Sequence, residues 1–229
     1  MKRYERGSYV DAGKATQASP SLLQLDSIYK KPSVSLDEFR RREIYRYLQL
    51  EGRAPDEATA ADVERNLKQL HDTVVLQLAA SLHPVTKERG AIVFGDFSTT
   101  SAVLQKNMKT SEYALLFAMT LGPAVDRLIS RLLITSKADA FITDACCAEY
   151  LESCANGYCA QVRDEAAQQG FIAHPRFSPG FADFGLEFQW PLIRSLQADK
   201  KMHIALTQGN MLVPTKTITA LMGLDRRNV

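Results

Sequence analysis

Between Lys137 and Gly170 the chain reads KADAFITDACCAEYLESCANGYCAQVRDEAAQQG, more than thirty residues without a proline. A run of that length with good helix formers at both ends predicts one long helix, stopped by Gly170. Alanine, cysteine, serine and glycine crowd its middle. A helix with so little bulk on it can approach another backbone closely, so this segment is expected to pack tightly against the body of the fold.

The remaining elements are shorter. The stretch SLDEFRRREIYRYLQL opens with Ser35 and Glu38 in capping-box spacing, repeats Phe39, Tyr45 and Leu48 at roughly helical intervals, and meets Gly52. Residues 54–84 place Pro55 and acidic residues early and Pro84 at the end, which predicts a long amphipathic helix. GAIVFGDF and TSEYALLFAMTLG are compact apolar runs read as strands, although a buried helix segment also fits the second. PAVDRLISRLLITS and LEFQWPLIRSL return to helical spacing, and the two β-rich runs around TQGNMLVPT suggest a hairpin or paired strands. Strands separated by helices without regular alternation predict an α+β domain. Residues 1–33 carry little periodicity and read as an irregular N-terminal arm, leaving residues 34–229 as the folded domain.

Composition narrows the function classes. With 28 basic against 26 acidic residues the net charge is +2, so no electrostatic footprint argues for nucleic acid. No leader-like h-region and no apolar run of membrane-spanning length is present, which predicts a cytoplasmic protein. Cys146, Cys147, Cys154 and Cys159 form no CxxC pair. Cys147 and Cys154 share a helix face as soft-metal ligands do, but without a further ligand at helical spacing the better expectation is small buried hydrophobes, and no metal site is predicted.

Catalytic signatures are missing: there is no GxGxxG after a strand, no Walker loop, no HExxH and no GxSxG. His71, His83, His174 and His203 are scattered, and only His174 lies close to a notable motif, two residues before Arg176. That motif is RFSPGFADFG, residues 176–185. Its arginine offers a planar fork for a carboxylate, its Pro179-Gly180 turn brings backbone amides near a ligand, and Phe177, Phe181 and Phe184 are available as flat apolar walls. Together these suit a flat, anionic ligand. The plainer reading is a loop whose arginine pairs with a surface glutamate and whose phenylalanines belong to the core.

Four stretches in order, FAMTLGPAVDRLI (117–129), DACCAEYLE (144–152), RFSPGFADFGLEFQ (176–189) and IALTQGNMLVPTKTITALMG (204–223), resemble the activation domain of cobalamin-dependent methionine synthase. The likeness covers roughly residues 35 to 224, and the chain looks like a free-standing relative of that domain. The resemblance implies a twisted antiparallel sheet surrounded by helices and a site for S-adenosylmethionine made by Glu149, Arg176, Ser178, Gly180 and Phe181. It further implies a methyltransferase component that supports reductive methylation of cob(II)alamin. The cobalamin would be carried by a partner, methionine synthase or another corrinoid protein, and a flavodoxin or ferredoxin would supply electrons. No catalytic side chain is then expected, because cob(I)alamin is itself the nucleophile and the protein has only to bind and orient the methyl donor. Phe181 stands where the family usually has tyrosine, and this departure favours the alternative of a non-catalytic module that binds a corrinoid protein or S-adenosylmethionine.

Overall fold

The computed structural model describes residues 36, 39–50, 53–88, 90–94 and 97–227. The predicted arm at 1–33 and the Ser35/Glu38 capping box lie outside them. After helix α1 (Arg41–Tyr47) and helix α2 (Glu57–Thr73) come strands β1 (Gln77–Glu88), β2 (Ala91–Phe94) and β3 (Phe97–Thr99). Helix α3 (Ala102–Asn107), strand β4 (Tyr113–Thr120), helix α4 (Pro123–Thr135) and helix α5 (Lys137–Gln168) follow. Strand β5 (Phe171–Ala173), helices α6 (Gln189–Leu196) and α7 (Ala198–Lys201), and strands β6 (Ala205–Leu206), β7 (Leu212–Val213) and β8 (Thr217–Arg226) complete the order.

The expected α+β architecture is the observed one. Six strands form one sheet in the order β3-β2-β1-β4-β8-β5, antiparallel at every step. Its centre is β4, which pairs with β1 from Tyr113–Pro84 to Thr120–Gln77 and with β8 from Tyr113–Leu224 to Thr120–Thr217. Because side chains alternate across a strand, β4 divides its residues between two cores. Leu115, Phe117 and Met119 face the layer of α2, α4 and α5, whereas Ala114, Leu116 and Ala118 face Leu104 of α3 and Leu192, Ile193 and Leu196 of α6.

Helix α5 is 32 residues long, which at 1.5 Å per residue is about 48 Å, enough to cross the whole sheet. Ser136 caps its start by accepting from the Asp139 amide at 3.3 Å. All four cysteines are buried thiols outside any disulfide, packed with Ala155 and Tyr158 in the core, as small hydrophobes. Burial raises the Cys146 thiol to about 12 and pushes Cys147 up as well, so neither supplies thiolate at neutral pH. Phe117 meets Tyr158 edge-on at 5.1 Å, joining helix to sheet.

Two expectations are corrected. Residues 54–84 are not one helix: α2 ends at Thr73, and residues 77–88 are a strand containing Pro84. The β-branched Val74 and Val75 break the helix, and eight ladder pairs with β4 outweigh the local preference that Leu67, Leu70 and Val74 suggest. Pro84 is tolerated because the Val85 amide donates to the Glu112 carbonyl at 2.8 Å. Pro84 and Tyr113 are then a non-hydrogen-bonded pair, and the missing N–H is not required by β4. Nor do the two β-rich runs near the C-terminal end pair with each other: β6 pairs with β7 in a separate two-stranded ribbon, and β8 enters the main sheet. Among the described residues no helix is long and apolar enough to cross a membrane.

Gly122 joins β4 to α4 with φ 87° and ψ 162°, a region that only glycine occupies readily. A Cβ there would sit 3.0 Å from the Val75 carbonyl oxygen. Gly122→Ala is expected to destabilise the protein by roughly 1–3 kcal/mol, read as a lower urea midpoint at unchanged slope.

Candidate functional site

The RFSPGFADFG segment leaves the sheet along the free edge of β8. The His174 amide donates to the Gly223 carbonyl at 2.8 Å, and Phe177 exchanges two backbone hydrogen bonds with Leu221, at 2.8 and 2.9 Å. Arg176 is thus held between two points of attachment to the central sheet. Beyond it, the turn through Pro179 and Gly180 uses the positive φ of Gly180, 93°, and is closed by the Gly180 amide donating to the Phe184 carbonyl at 2.7 Å. Asp183 ties the far side of the loop to α3. Its carboxylate accepts from the Ser101 hydroxyl at 2.6 Å and from the Ala102 and Val103 amides at 2.5 and 3.3 Å. These hydrogen bonds, the Ser101 one foremost, hold the Asp183 carboxyl below the usual range.

The phenylalanines divide. Phe177 and Phe184 are core residues, which corrects their assignment as walls of a site. Phe181 alone presents its ring, 63% exposed, and stands edge-on to Phe177 at 5.3 Å. Ser178 is half-buried before the turn, and Gly180 is exposed at its apex.

Arg176 is mostly buried and pairs with Glu152 of α5. Its Nη1 is buried and has no hydrogen-bond partner among the described residues, so one arm of the fork is paired and the other is left unpaired inside the protein. The guanidinium also lies near Cys159, opposing the rise that burial imposes on that thiol.

Glu149 sits one turn before Glu152 and is fully buried. Its carboxylate accepts from the Arg40 backbone amide at 3.2 Å, from Arg40 Nε and Nη2 at 3.0 and 3.1 Å, and from the Ser153 hydroxyl at 2.6 Å. Three of these four donors converge on Oε1, and Arg40 Nη2 alone reaches Oε2. The middle of α5 therefore carries two acidic residues, each matched by an arginine from elsewhere in the chain. Glu149 and Arg176 are expected from the sequence, whereas Arg40, Glu152, Ser153 and Asp183 are not. Glu152 and Ser153 were within reach, standing three and four residues after Glu149 and so beside it on a helix. Arg40, 109 residues away, carried no such signal.

His174 also has a structural tie, with Nε2 2.9 Å from Asp225 Oδ1. Among the described residues, no three His, Cys, Asp or Glu side chains gather as a metal ion would require.

Acid should loosen the Asp183 anchor. Because its carboxyl is depressed in the folded state, the tie is at full strength above the ordinary carboxylate range and is lost as pH falls through the lowered value. Amide protection at Ala102 and Val103 is expected to fall on acidification, and Asp183→Ala should give the low protection at every pH, as measured by hydrogen exchange.

No protein-family model matches the chain, and no curated protein matches it. Among solved structures it is similar to one described as the crystal structure of the MetH reactivation domain bound to AdoHcy, at 14% identity and a TM-score of 0.62. The alignment covers 96% of this chain and 85% of that one. At that identity the likeness is one of fold, and it extends over nearly the whole chain.

Proposed function

We propose that this chain binds S-adenosylmethionine and acts as a reactivation module for a cobalamin-dependent methionine synthase or a related corrinoid protein. The observation that carries the reading is the buried, half-paired guanidinium of Arg176 next to a glycine turn, in a fold similar to that of a domain bound to AdoHcy. A buried cation with a free Nη1 is a receptor for a carboxylate, and the methionine moiety of the ligand carries one. The exposed backbone at Gly180 and the Ser178 hydroxyl lie on the same loop, and Phe181 supplies an apolar face for the adenine.

In this reading the residues of the chain bind and orient; none transfers a proton. Cobalamin, held by the partner protein, supplies the nucleophile, and a flavodoxin or ferredoxin supplies the electron. Arg176 anchors the carboxylate end, and the turn fixes the direction in which the sulfonium methyl points. Glu149 is the natural partner for the ligand's ammonium, but Arg40 occupies it. The ligand must then compete with an internal guanidinium, and the cost of displacing it is subtracted from affinity.

Calorimetry with S-adenosylmethionine and S-adenosylhomocysteine tests the assignment. Truncating one partner of a buried, hydrogen-bonded charge pair costs about 2–5 kcal/mol, so Arg176→Ala is expected to weaken binding at least about tenfold. Arg176→Lys should also bind poorly, because a point charge does not replace the fork. Unchanged affinity in Arg176→Ala would remove the basis of the proposal. Arg40→Gln is expected to tighten binding; if it lowers only thermal stability, Glu149 anchors α1 and has no ligand role.

A second reading, a binding module without methyl transfer, is favoured by Phe181, which lacks the phenol usual in the family. The ring is exposed, so a hydroxyl added to it needs no repacking of the core. Phe181→Tyr and the parent are expected to form methylcobalamin at comparable rates with one corrinoid partner and one reductant. Absence of methylation by both variants, with binding intact, would favour the second reading.

A further inference from the structure

A groove of about 710 Å³ lies on another part of the surface, lined by Trp190, Asp199, His203, Ile204, Ala205, Leu206 and Asn210. Its volume falls in the range of small-molecule sites, about 300–1,000 Å³. None of Glu149, Arg176, Ser178, Gly180 or Phe181 contributes to it. The first turn of α6 supplies Trp190, the chain's only tryptophan, with 44% of its surface exposed. Helix α7 supplies Asp199, strand β6 supplies Ala205 and Leu206, and the turn before β7 supplies Asn210.

The walls are set by tight turns. Of the five non-glycine residues with positive φ among those described, three fall here: Gln197 at 52°, His203 at 54° and Asn210 at 59°. Such conformations persist where the surroundings enforce them, and they cluster at ligand-binding positions. The turn before β7 is pinned further, since the Thr207 amide donates to the Met211 carbonyl at 2.9 Å and the Met211 amide to the Thr207 hydroxyl at 3.1 Å.

The side chains of Asp199, His203 and Asn210 make no hydrogen bond or ion pair among the described residues. A carboxylate, an imidazole and an amide are therefore available around one exposed indole. No lysine or arginine lines the groove, which disfavours a phosphate or carboxylate ligand. A cation is disfavoured as well, because Arg194 lies over the Trp190 ring at 5.7 Å and Lys200 and Lys201 directly follow Asp199 in the chain. We infer that the groove binds a neutral polyhydroxylated ring, a sugar whose C–H face lies on Trp190 and whose adjacent hydroxyls are shared by Asp199 and Asn210. A carboxylate accepts two hydroxyl protons, an amide both donates and accepts, and an indole offers the flat apolar surface, so each lining group has a counterpart on such a ring.

The single tryptophan makes the site directly observable. Titration with D-glucose, D-galactose, D-mannose and D-ribose at millimolar concentrations is expected to give a saturable change in Trp190 fluorescence with at least one of them. Asp199→Ala and Asn210→Ala, checked for folding by circular dichroism, should each weaken that response about tenfold, the effect of losing hydrogen bonds to a charged or buried polar group. Arg176→Ala should leave it unchanged. The inference is overturned if no sugar gives saturation, if choline chloride saturates the signal and the sugars do not, if both groove variants respond like the parent, or if Arg176→Ala abolishes the response.

Discussion

The pairing of β4 with β8 is the contact on which the rest of the molecule depends. It joins residues 113–120 to residues 217–224 in eight consecutive pairs, across roughly a hundred residues of intervening chain. One edge of β8 completes the central sheet. Its other edge receives β5, then His174 and Phe177, and so determines where Arg176 stands relative to α5. The side chains of β8 seal both faces, with Ala220 and Met222 under the long helix and Leu221 under α6. The sheet and the candidate site share one support, so any shift of β8 along β4 would disturb both.

Much of this was legible from residue patterns. The long helix was visible from the absence of proline and the density of small residues, and β4 from a compact apolar run bounded by Gly122. The fold class followed from the irregular mixture of elements. What failed was the stretch after Thr73, where helical periodicity in Leu67, Leu70 and Val74 ran on into residues that β4 claims as a strand. No local pattern encodes that competition, because the partner lies some forty residues further on. The two β-rich runs near the end failed for the same reason: their pairing was decided by long-range ladders and not by proximity.

The site was half legible. Arg176, Gly180 and the turn could be read from the motif because backbone geometry and side-chain chemistry there are local. The roles of the phenylalanines could not, since RFSPGFADFG holds three of them and only the tertiary structure says that Phe177 and Phe184 point inward while Phe181 stays outside. Arg40 was illegible in principle. An arginine in a row of three, RRR at 40–42, has no sequence mark that distinguishes the one that reaches a buried glutamate on α5.

The place of β8 in the chain orders events in time. A nascent chain carrying α5 and β4 but not yet residues 217–226 has a central strand with one edge unpaired and a long helix with part of its sheet missing. Until β8 is made, the polypeptide holds exposed one edge of β4 and the apolar surface of α5 that β8 later packs against, the condition under which strand edges recruit one another and chaperones bind. The strand that closes the sheet follows its partner by about a hundred residues, so the speed of closure is set by a long loop and not by local contacts.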